Sequence, residues 1–287
     1  MKGRIRPLFL LAPLMLVLGG MFGAALGLTL LRSFRVMPSI GLTEPDLAAY
    51  TVILTAPNFL ASVGMSLWIA VVSAVISAVL ALATALLLRQ SFIGRGLLAT
   101  LIHANLAVPH VVGAVGILYL FSQSGAFARL AYAAGMIDRP GAFPALTHDP
   151  YAIGIILLYV WKEMPFITLI LLARLQTIGP EHEAAARSLG ATQWQAFAHV
   201  LLPMLMPALM VATALVFAFA FGAYEVPLLL GAHAPEALSV LAWRSHTDVD
   251  LGARPEAMAM AVVIALIGGG ILALLTRLVW RFGGQGR

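Results

Sequence analysis

The ionisable residues best placed to do chemistry in this sequence lie inside apolar stretches. Lys162 and Glu163 interrupt one such stretch just before Pro165, which should kink a helix there. Ionisable groups are costly within a membrane and usually face a bundle interior or a cavity. Adjacent residues lie about 100° apart on a helix, so we expect Lys162 and Glu163 each to have a partner on another helix. Such contacts would either join helices structurally or gate a pathway.

Two histidines and an aromatic run give weaker chemical signals. His103 and His110 have the i,i+7 spacing that places two residues on one helical face. That spacing is poor for a metal site, so interhelical hydrogen bonding or the lining of a path is expected.

Phe217, Phe221 and Tyr224 form a predicted stripe that ends beside Glu225.

Aromatic rings beside the Glu225 carboxylate could bind an organic cation through cation–π contacts and charge pairing. The alternative is a belt of aromatic residues at the membrane interface, next to a capped loop. Glu225 and Tyr224 are therefore candidate pathway residues, together with Lys162 and Glu163.

The composition shows which kind of structure must position these residues. Hydrophobic residues make up 61% of the 287-residue chain and charged residues only 10%, against about 25% charged residues in soluble domains. Lipid must therefore be the main solvent of this protein. The absence of cysteine excludes disulfides, thiol nucleophiles and cysteine metal sites. The net charge of +5 comes from scattered basic residues, so nucleic-acid binding is not expected.

Six apolar stretches are long enough for transmembrane helices, which need about 20 residues. The first is too long for the core of a signal peptide, about 7–15 residues, and is interpreted as a retained anchor. The sequence therefore predicts an all-α integral membrane protein with six spans, at residues 8–31, 61–88, 97–121, 151–173, 205–230 and 257–280.

The distribution of charge predicts that both termini lie in the cytoplasm, because Lys and Arg concentrate in cytoplasmic loops. With that orientation, the cytoplasmic segments hold only two acidic residues, Glu181 and Glu183. Their basic residues are Lys2, Arg4, Arg6, Arg89, Arg95, Arg174, Arg187, Arg277, Arg281 and Arg287. The external segments 32–60, 122–150 and 231–256 are richer in acidic residues, Pro and Gly, and are expected to form an irregular surface.

The long cytoplasmic loop between the fourth and fifth spans is predicted to hold two short helices that meet at Gly190. Pro180 suits a first helical position, and Glu183 is placed to pair with Arg187 at i,i+4. Gly190 suits a left-handed residue after the first helix. Thr192 and Gln195 have the spacing of a capping box that would start the second helix. Without further information, such a helix would simply lie on the membrane surface.

The spacing within this loop resembles the EAA loop of permease subunits of ABC importers. In that pattern a Glu-Ala-Ala sequence is followed by three residues, Gly, nine residues and Ile-x-Leu-Pro. Residues 183–203, here called the EAA-like loop, match from Gly190 onward without a gap. The family glutamate falls on Ala184, and Glu183 precedes it by one residue. The resemblance assigns to the ATPase-coupling loop the residues Glu183, Ala184, Ala185, Arg187, Gly190, Val200, Leu202 and Pro203.

The resemblance covers about residues 57–280 and implies a permease subunit in the bacterial inner membrane. Residues 57–287 would form the permease domain, and residues 1–56 an anchor helix with an external loop. It also implies that the EAA-like loop is a coupling helix held by a separate ABC ATPase dimer. Further expected partners are a second permease, identical or different, and an external solute-binding protein. Residues 221–231 also resemble polyamine-type permeases, which suggests a small organic cation as the solute.

The chain lacks the Gly-Lys-Ser/Thr sequence of an ATP-binding loop, so no cofactor is expected on this subunit. An ion- or proton-coupled secondary transporter is the main alternative. Such transporters commonly have inverted repeats, which this sequence does not display. A membrane enzyme is a further alternative, but the sequence clusters no catalytic groups.

Overall fold

The computed structural model describes the backbone of residues 5–283 and the side chains of residues 10–277. Lys2, Arg4 and Arg287, which contributed to the predicted orientation, lie outside the described residues. Thirteen α-helices make up most of the described part. They are α1 (Ile5–Ser33), α2 (Ala48–Thr55), α3 (Phe59–Arg89), α4 (Arg95–Ala107), α5 (His110–Phe121), α6 (Ala126–Ala133), α7 (Ile153–Ile178), α8 (Glu181–Ser188), α9 (Gln193–Ala196), α10 (Leu202–Gly222), α11 (Glu225–Leu230), α12 (Leu238–Thr247) and α13 (Arg254–Gly283).

Six segments of the described chain are long and apolar enough to cross a membrane, which confirms the predicted number. The third consists of α5, α6 and the turn between them. The six segments are Leu10–Ser33, Phe59–Arg89, His110–Ala133, Ile153–Ile178, Gln193–Gly222 and Leu251–Arg277.

The third predicted span is not one helix, as the sequence analysis had assumed for residues 97–121. Helix α4 ends at Ala107, and α5 begins at His110, with Val108 and Pro109 between them in extended conformations. Proline has no N–H to continue a helix, and it disfavours helical geometry in the residue before it. The Val108–Pro109 pair therefore divides the predicted span into α4, which lies outside the third apolar segment, and α5, and both helices pack along α7.

The fifth predicted span, residues 205–230, is also divided. Helix α10 ends at Gly222, Ala223 is extended, and a separate short helix, α11, begins at Glu225. The segments predicted to be external are less irregular than expected, because they contain α2 and α12, and because α6 belongs to the third apolar segment.

The centre of the bundle is formed by α3, α7 and α10, while α1 packs on the outer side of α13. Helix α3 presents small side chains to α7 and α10, which lets the helix backbones approach closely. The fully buried members of this surface include Ala70, Ser73, Ser77, Ala81 and Ala85. Helix α7 lies deepest in the bundle, and half of the residues in its most apolar stretch are buried.

Candidate functional site

The EAA-like loop has the two-helix form that the sequence predicted. Helix α8 ends in a Schellman motif, in which Ala191 N–H donates to Ala186 O at 3.1 Å and Gly190 N–H to Arg187 O at 3.0 Å. Gly190 has φ +91°, the left-handed conformation that this motif requires. The capping box is also present, with Gln195 N 3.3 Å from Thr192 Oγ1 and Thr192 N 2.8 Å from Gln195 Oε1.

The loop rejoins the bundle through a single π-helical segment, Phe197–Leu201. Leu202 N–H bonds to Phe197 O, five residues back. Pro203 has no N–H to bond His199 O, so a continuous α-helix would lose a hydrogen bond at this point. The π-turn and proline thus connect the short α9 to the long α10.

Most side chains of the loop face away from the bundle, and none between residues 181 and 195 is buried. Ala184 and Ala185 are exposed, so the surface of α8 is open to close approach by another backbone. Leu189 and Trp194 are 89% and 71% exposed, although both are large and apolar. Exposed apolar side chains grouped on a polar loop indicate a contact surface for another protein.

Glu183 is paired differently from the expected i,i+4 contact with Arg187. Its Oε1 lies 2.6 Å from Nη1 of Arg89, the last residue of α3, while Arg187 is exposed. Both side chains of this pair are about three-quarters buried, which favours an ion pair over two separately hydrated charges. The prediction of the local pair was wrong, because the fold brings α3 next to α8.

Lys162 and Glu163 each have a partner on a different helical segment, as predicted. Lys162 Nζ donates to Asn105 O at 2.7 Å and to Val108 O at 2.6 Å. Pro109 cannot donate to Asn105 O, its partner four residues back in an α-helix, so this carbonyl, which accepts from Val108 N–H at 3.1 Å, has room for a second donor. The lysine charge also lies at the C-terminal end of α4, where the helix dipole is negative.

Asn105 provides the reciprocal hydrogen bond. Its Nδ2 donates to Trp161 O at 3.1 Å. Trp161 is four residues before Pro165, so its carbonyl also lacks the normal α-helical donor. Helix α7 nevertheless continues through Pro165. Each proline removes the α-helical donor of one carbonyl, and a side chain from the opposite segment donates to that carbonyl.

Glu163 pairs with His110 at the start of α5, where Oε1 and Nε2 are 2.8 Å apart. The His110 ring also packs against Phe219 of α10 and Tyr159 of α7, with centroid distances of 4.9 and 6.4 Å. His103 does not share this face, because the break at Pro109 separates the two histidines. Its Nδ1 instead bonds Ala99 O in its own helix. We call Asn105, His110, Lys162 and Glu163 the proline-break cluster.

The predicted aromatic stripe beside Glu225 is only partly present. Phe217 and Phe221 stack at 5.8 Å and are buried in the bundle. Tyr224 lies beyond the end of α10 and stacks at 6.2 Å on Trp243 of α12 instead. Glu225 is exposed in the first turn of α11. The three rings therefore do not form one wall for a cation.

Sequence reasoning did not find two residues that organise these sites, Arg89 and Asn105. Asn105 lies four residues before a proline, a spacing that marks a carbonyl without its α-helical donor. Arg89 carried no local signal. Lys162 and Glu163 within the bundle are both hydrogen-bonded, and the described residues contain no cluster of His, Asp and Glu suited to a metal ion. Polar contacts that join separate helices in this way favour a protein whose helical segments move relative to one another.

A bundle of six candidate membrane-spanning helices with a short exposed loop of paired helices defines a multi-pass membrane protein. Residues 77–281 match the family described as the binding-protein-dependent transport system inner membrane component. The chain belongs to this family, which confirms the resemblance to ABC importer permeases. It is therefore a transport subunit of the inner membrane and not an enzyme.

Proteins similar to this chain are named for different solutes. The chain is 30% identical to the sulfate transport system permease protein CysT of Escherichia coli, over 84% of each chain. It is 32% identical to the trehalose transport system permease protein SugA of Mycobacterium tuberculosis, over 66% of this chain and 60% of the relative.

Solved structures share the fold at lower identity. A bacterial ABC transporter that imports the acidic polysaccharide alginate matches with a TM-score of 0.78 and 17% identity, over 98% of this chain and 96% of the other. An amino acid ABC transporter matches with a TM-score of 0.53 and 18% identity, over 82% and 97%.

Proposed function

We propose that this chain forms one half of the translocation path of an ATP-driven importer and receives its driving force through the EAA-like loop. The observation that carries the proposal is the exposure of Leu189 and Trp194 on this loop. Burying these apolar groups against a partner would be favourable, at about 25 cal/mol per Å² of apolar surface. The loop joins directly to α7 and α10, two of the three central helices of the bundle.

The partner at this loop is an ABC ATPase dimer, and each ATPase subunit would hold one permease loop. A second permease, identical or different, completes the path, and an external binding protein delivers the solute. A solved relative of the same fold is described in complex with a pentasaccharide-bound periplasmic protein. With the loop facing the ATPase, both termini of this chain lie in the cytoplasm, and residues 57–287 form the permease domain with residues 1–56 as an added anchor.

The ATPase contact is tested by co-purification. The tagged chain is expressed with the ATPase of its own transport system, and the retained ATPase is quantified for Leu189→Asp and Trp194→Asp. Both variants should release the ATPase because a carboxylate would have to be buried at the contact. Ile93→Asp is the matched control, since Ile93 is fully exposed in the short turn after α3 and lies outside the EAA-like loop. Retention of the ATPase by both loop variants would refute the proposed contact.

For the solute, we propose a small polar compound of the kind named for the relatives, an oxyanion or a disaccharide. The support is the identity to the sulfate permease across most of both chains. The organic cation suggested by the sequence lacks such support, and Tyr224 lies apart from Phe217 and Phe221. Uptake of labelled sulfate, trehalose and spermidine by cells with and without this chain separates the three possibilities. Loss of spermidine uptake alone would reinstate the organic cation.

A further inference from the structure

The proline-break cluster lies where the two helices that flank the EAA-like loop meet. Helix α7 leads into the loop and carries Tyr159, Lys162 and Glu163, while α10 leads out of it and carries Phe219. His110, at the start of α5, contacts both helices, through Glu163 and Tyr159 on one side and Phe219 on the other. Movement of either helix would therefore act on the start of α5.

The cluster also bonds the two halves of the broken span to one helix. Lys162 Nζ of α7 donates to Asn105 O and Val108 O at the end of α4, at 2.7 and 2.6 Å, and Asn105 Nδ2 donates to Trp161 O of α7 at 3.1 Å. Glu163 binds the start of α5. Because Lys162 and Glu163 are adjacent in sequence, one turn of α7 contacts both α4 and α5, on the two sides of the Val108–Pro109 break.

The polar groups are too well buried for these contacts to be incidental. Lys162 is 4% exposed, Asn105 8% and Glu163 9%. Buried polar groups are costly unless they are paired, so this arrangement is maintained only while α4, α5 and α7 keep their relative positions. An unbroken helix would bond its own backbone groups at this point and would need none of these side chains.

We propose that the proline-break cluster is a clamp that makes α4, α5 and α7 move as one rigid unit during transport. Lys162 and Glu163 are then positioning residues. They transmit a displacement of the EAA-like loop, through α7, to both halves of the broken span. The transport role of the clamp rests on the function proposed above, whereas its rigidity is a property of the chain itself.

Rigidity is tested with two spin labels in the full complex in lipid nanodiscs. Cysteines at Leu101 in α4 and Tyr119 in α5 are suitable because both side chains are exposed and the chain has no native cysteine. The wild-type background should give one narrow distance distribution, unchanged when the ATPase is trapped with vanadate. Lys162→Met should broaden it, while His103→Asn, on α4 outside the cluster, should not. A wild-type distance that changes on trapping, or a Lys162→Met distribution like the wild type, would overturn the clamp.

Measurements of uptake distinguish the clamp from a requirement for charge compensation alone. Lys162→Met should reduce uptake to about a tenth or less while ATP hydrolysis continues, since the loss of one partner leaves a buried group unpaired. Lys162→Arg, which keeps charge and donors, should recover most of the uptake. The double variant Lys162→Met with Glu163→Gln carries no unpaired charge, so it should insert normally and yet remain uncoupled. Full uptake by the double variant would show that charge compensation alone is needed.

The clamp and the proposed function can be refuted independently of each other. If the wild-type complex shows no ATP-dependent uptake, the importer proposal is wrong, whereas the label distances still report whether the broken span is rigid. If wild-type uptake is normal and the Lys162→Met variant transports at the same rate, the clamp is wrong and the importer proposal stands.

Discussion

Arg89 and Glu183 join the end of α3 to the first turn of α8 through an ion pair of 2.6 Å, although they lie 94 residues apart. The pattern of the EAA loop places its glutamate at position 184, which is alanine here. The Arg89 contact gives Glu183 a position and a partner. It also fixes the orientation of α8 relative to the bundle.

We therefore predict that exchanging these two charges preserves function. Arg89→Glu or Glu183→Arg alone should lower uptake and thermal stability, because each places two like charges together. The double exchange should recover both, with a coupling energy of about 1 kcal/mol, at the upper end of the range for partly exposed pairs. Thermal unfolding of the four proteins in detergent measures this energy. Additive effects of the two single changes would indicate that the pair is not formed.

Gly190 is predicted to be required for its backbone conformation and not for space. A β-carbon at this position would meet no atom within 4 Å, but the φ of +91° disfavours L-residues, at a cost of about 1 kcal/mol or more. Gly190→Val should break the Schellman motif, misdirect α9 and uncouple ATP hydrolysis from uptake while membrane insertion is retained.

Two controls separate the backbone effect from side-chain size. Gly190→Asn should be better tolerated than Gly190→Val, because asparagine adopts the left-handed conformation more readily. Gly96→Val should have little effect, since Gly96 has equally open surroundings and no positive φ. Normal coupling in Gly190→Val would contradict the assigned role of the EAA-like loop.

The predicted orientation can be measured by cysteine labelling in whole cells. Ile93 lies in the turn between α3 and α4, and Val249 follows α12; both side chains are almost fully exposed. A cysteine at position 249 should react with an impermeant maleimide in intact cells, and one at position 93 only after the cells are opened. The reverse pattern would place the EAA-like loop outside the cell, away from ATP.

The glutamate at the start of α11 is predicted to be dispensable for transport. Glu225 is exposed in a first helical turn, and the neighbouring Tyr224 stacks on Trp243 and not with Phe217 and Phe221. We expect Glu225→Gln to transport at close to the wild-type rate, with a small loss of stability of about 0.5 kcal/mol from the helix dipole. The rates are compared at saturating binding protein. A large drop in uptake would show that the carboxylate acts in the pathway and would support a cationic solute.

The sequence was sufficient for features that depend on local chemistry. Apolar length predicted the number of spans, while the left-handed preference of Gly190 and the Thr192–Gln195 spacing predicted the form of the loop. The break at Pro109 was missed although proline was recognised as a kink at Pro165. The two prolines differ in outcome, since α7 continues through one and the third span divides at the other. That difference depends on packing and is not encoded in the proline alone.

Partners distant in sequence were beyond local reasoning. Glu183 had Arg187 within reach on its own helix, and only the fold brings Arg89, at the end of α3, to Glu183. For Lys162 the need for a partner was predictable from the cost of a buried charge. The identity of that partner was not, because it is a pair of carbonyls made available by a helix break.

The central claim is that this chain couples a separate ATPase to solute uptake. Its most direct test is solute accumulation in proteoliposomes that contain the chain with its ATPase and second permease. The binding protein, carrying the solute that co-purifies with it, is added outside, and ATP is enclosed. Accumulation should require enclosed ATP and the external binding protein, and a proton or sodium gradient should have no effect. Accumulation driven by an ion gradient without ATP would contradict the account and identify a secondary transporter.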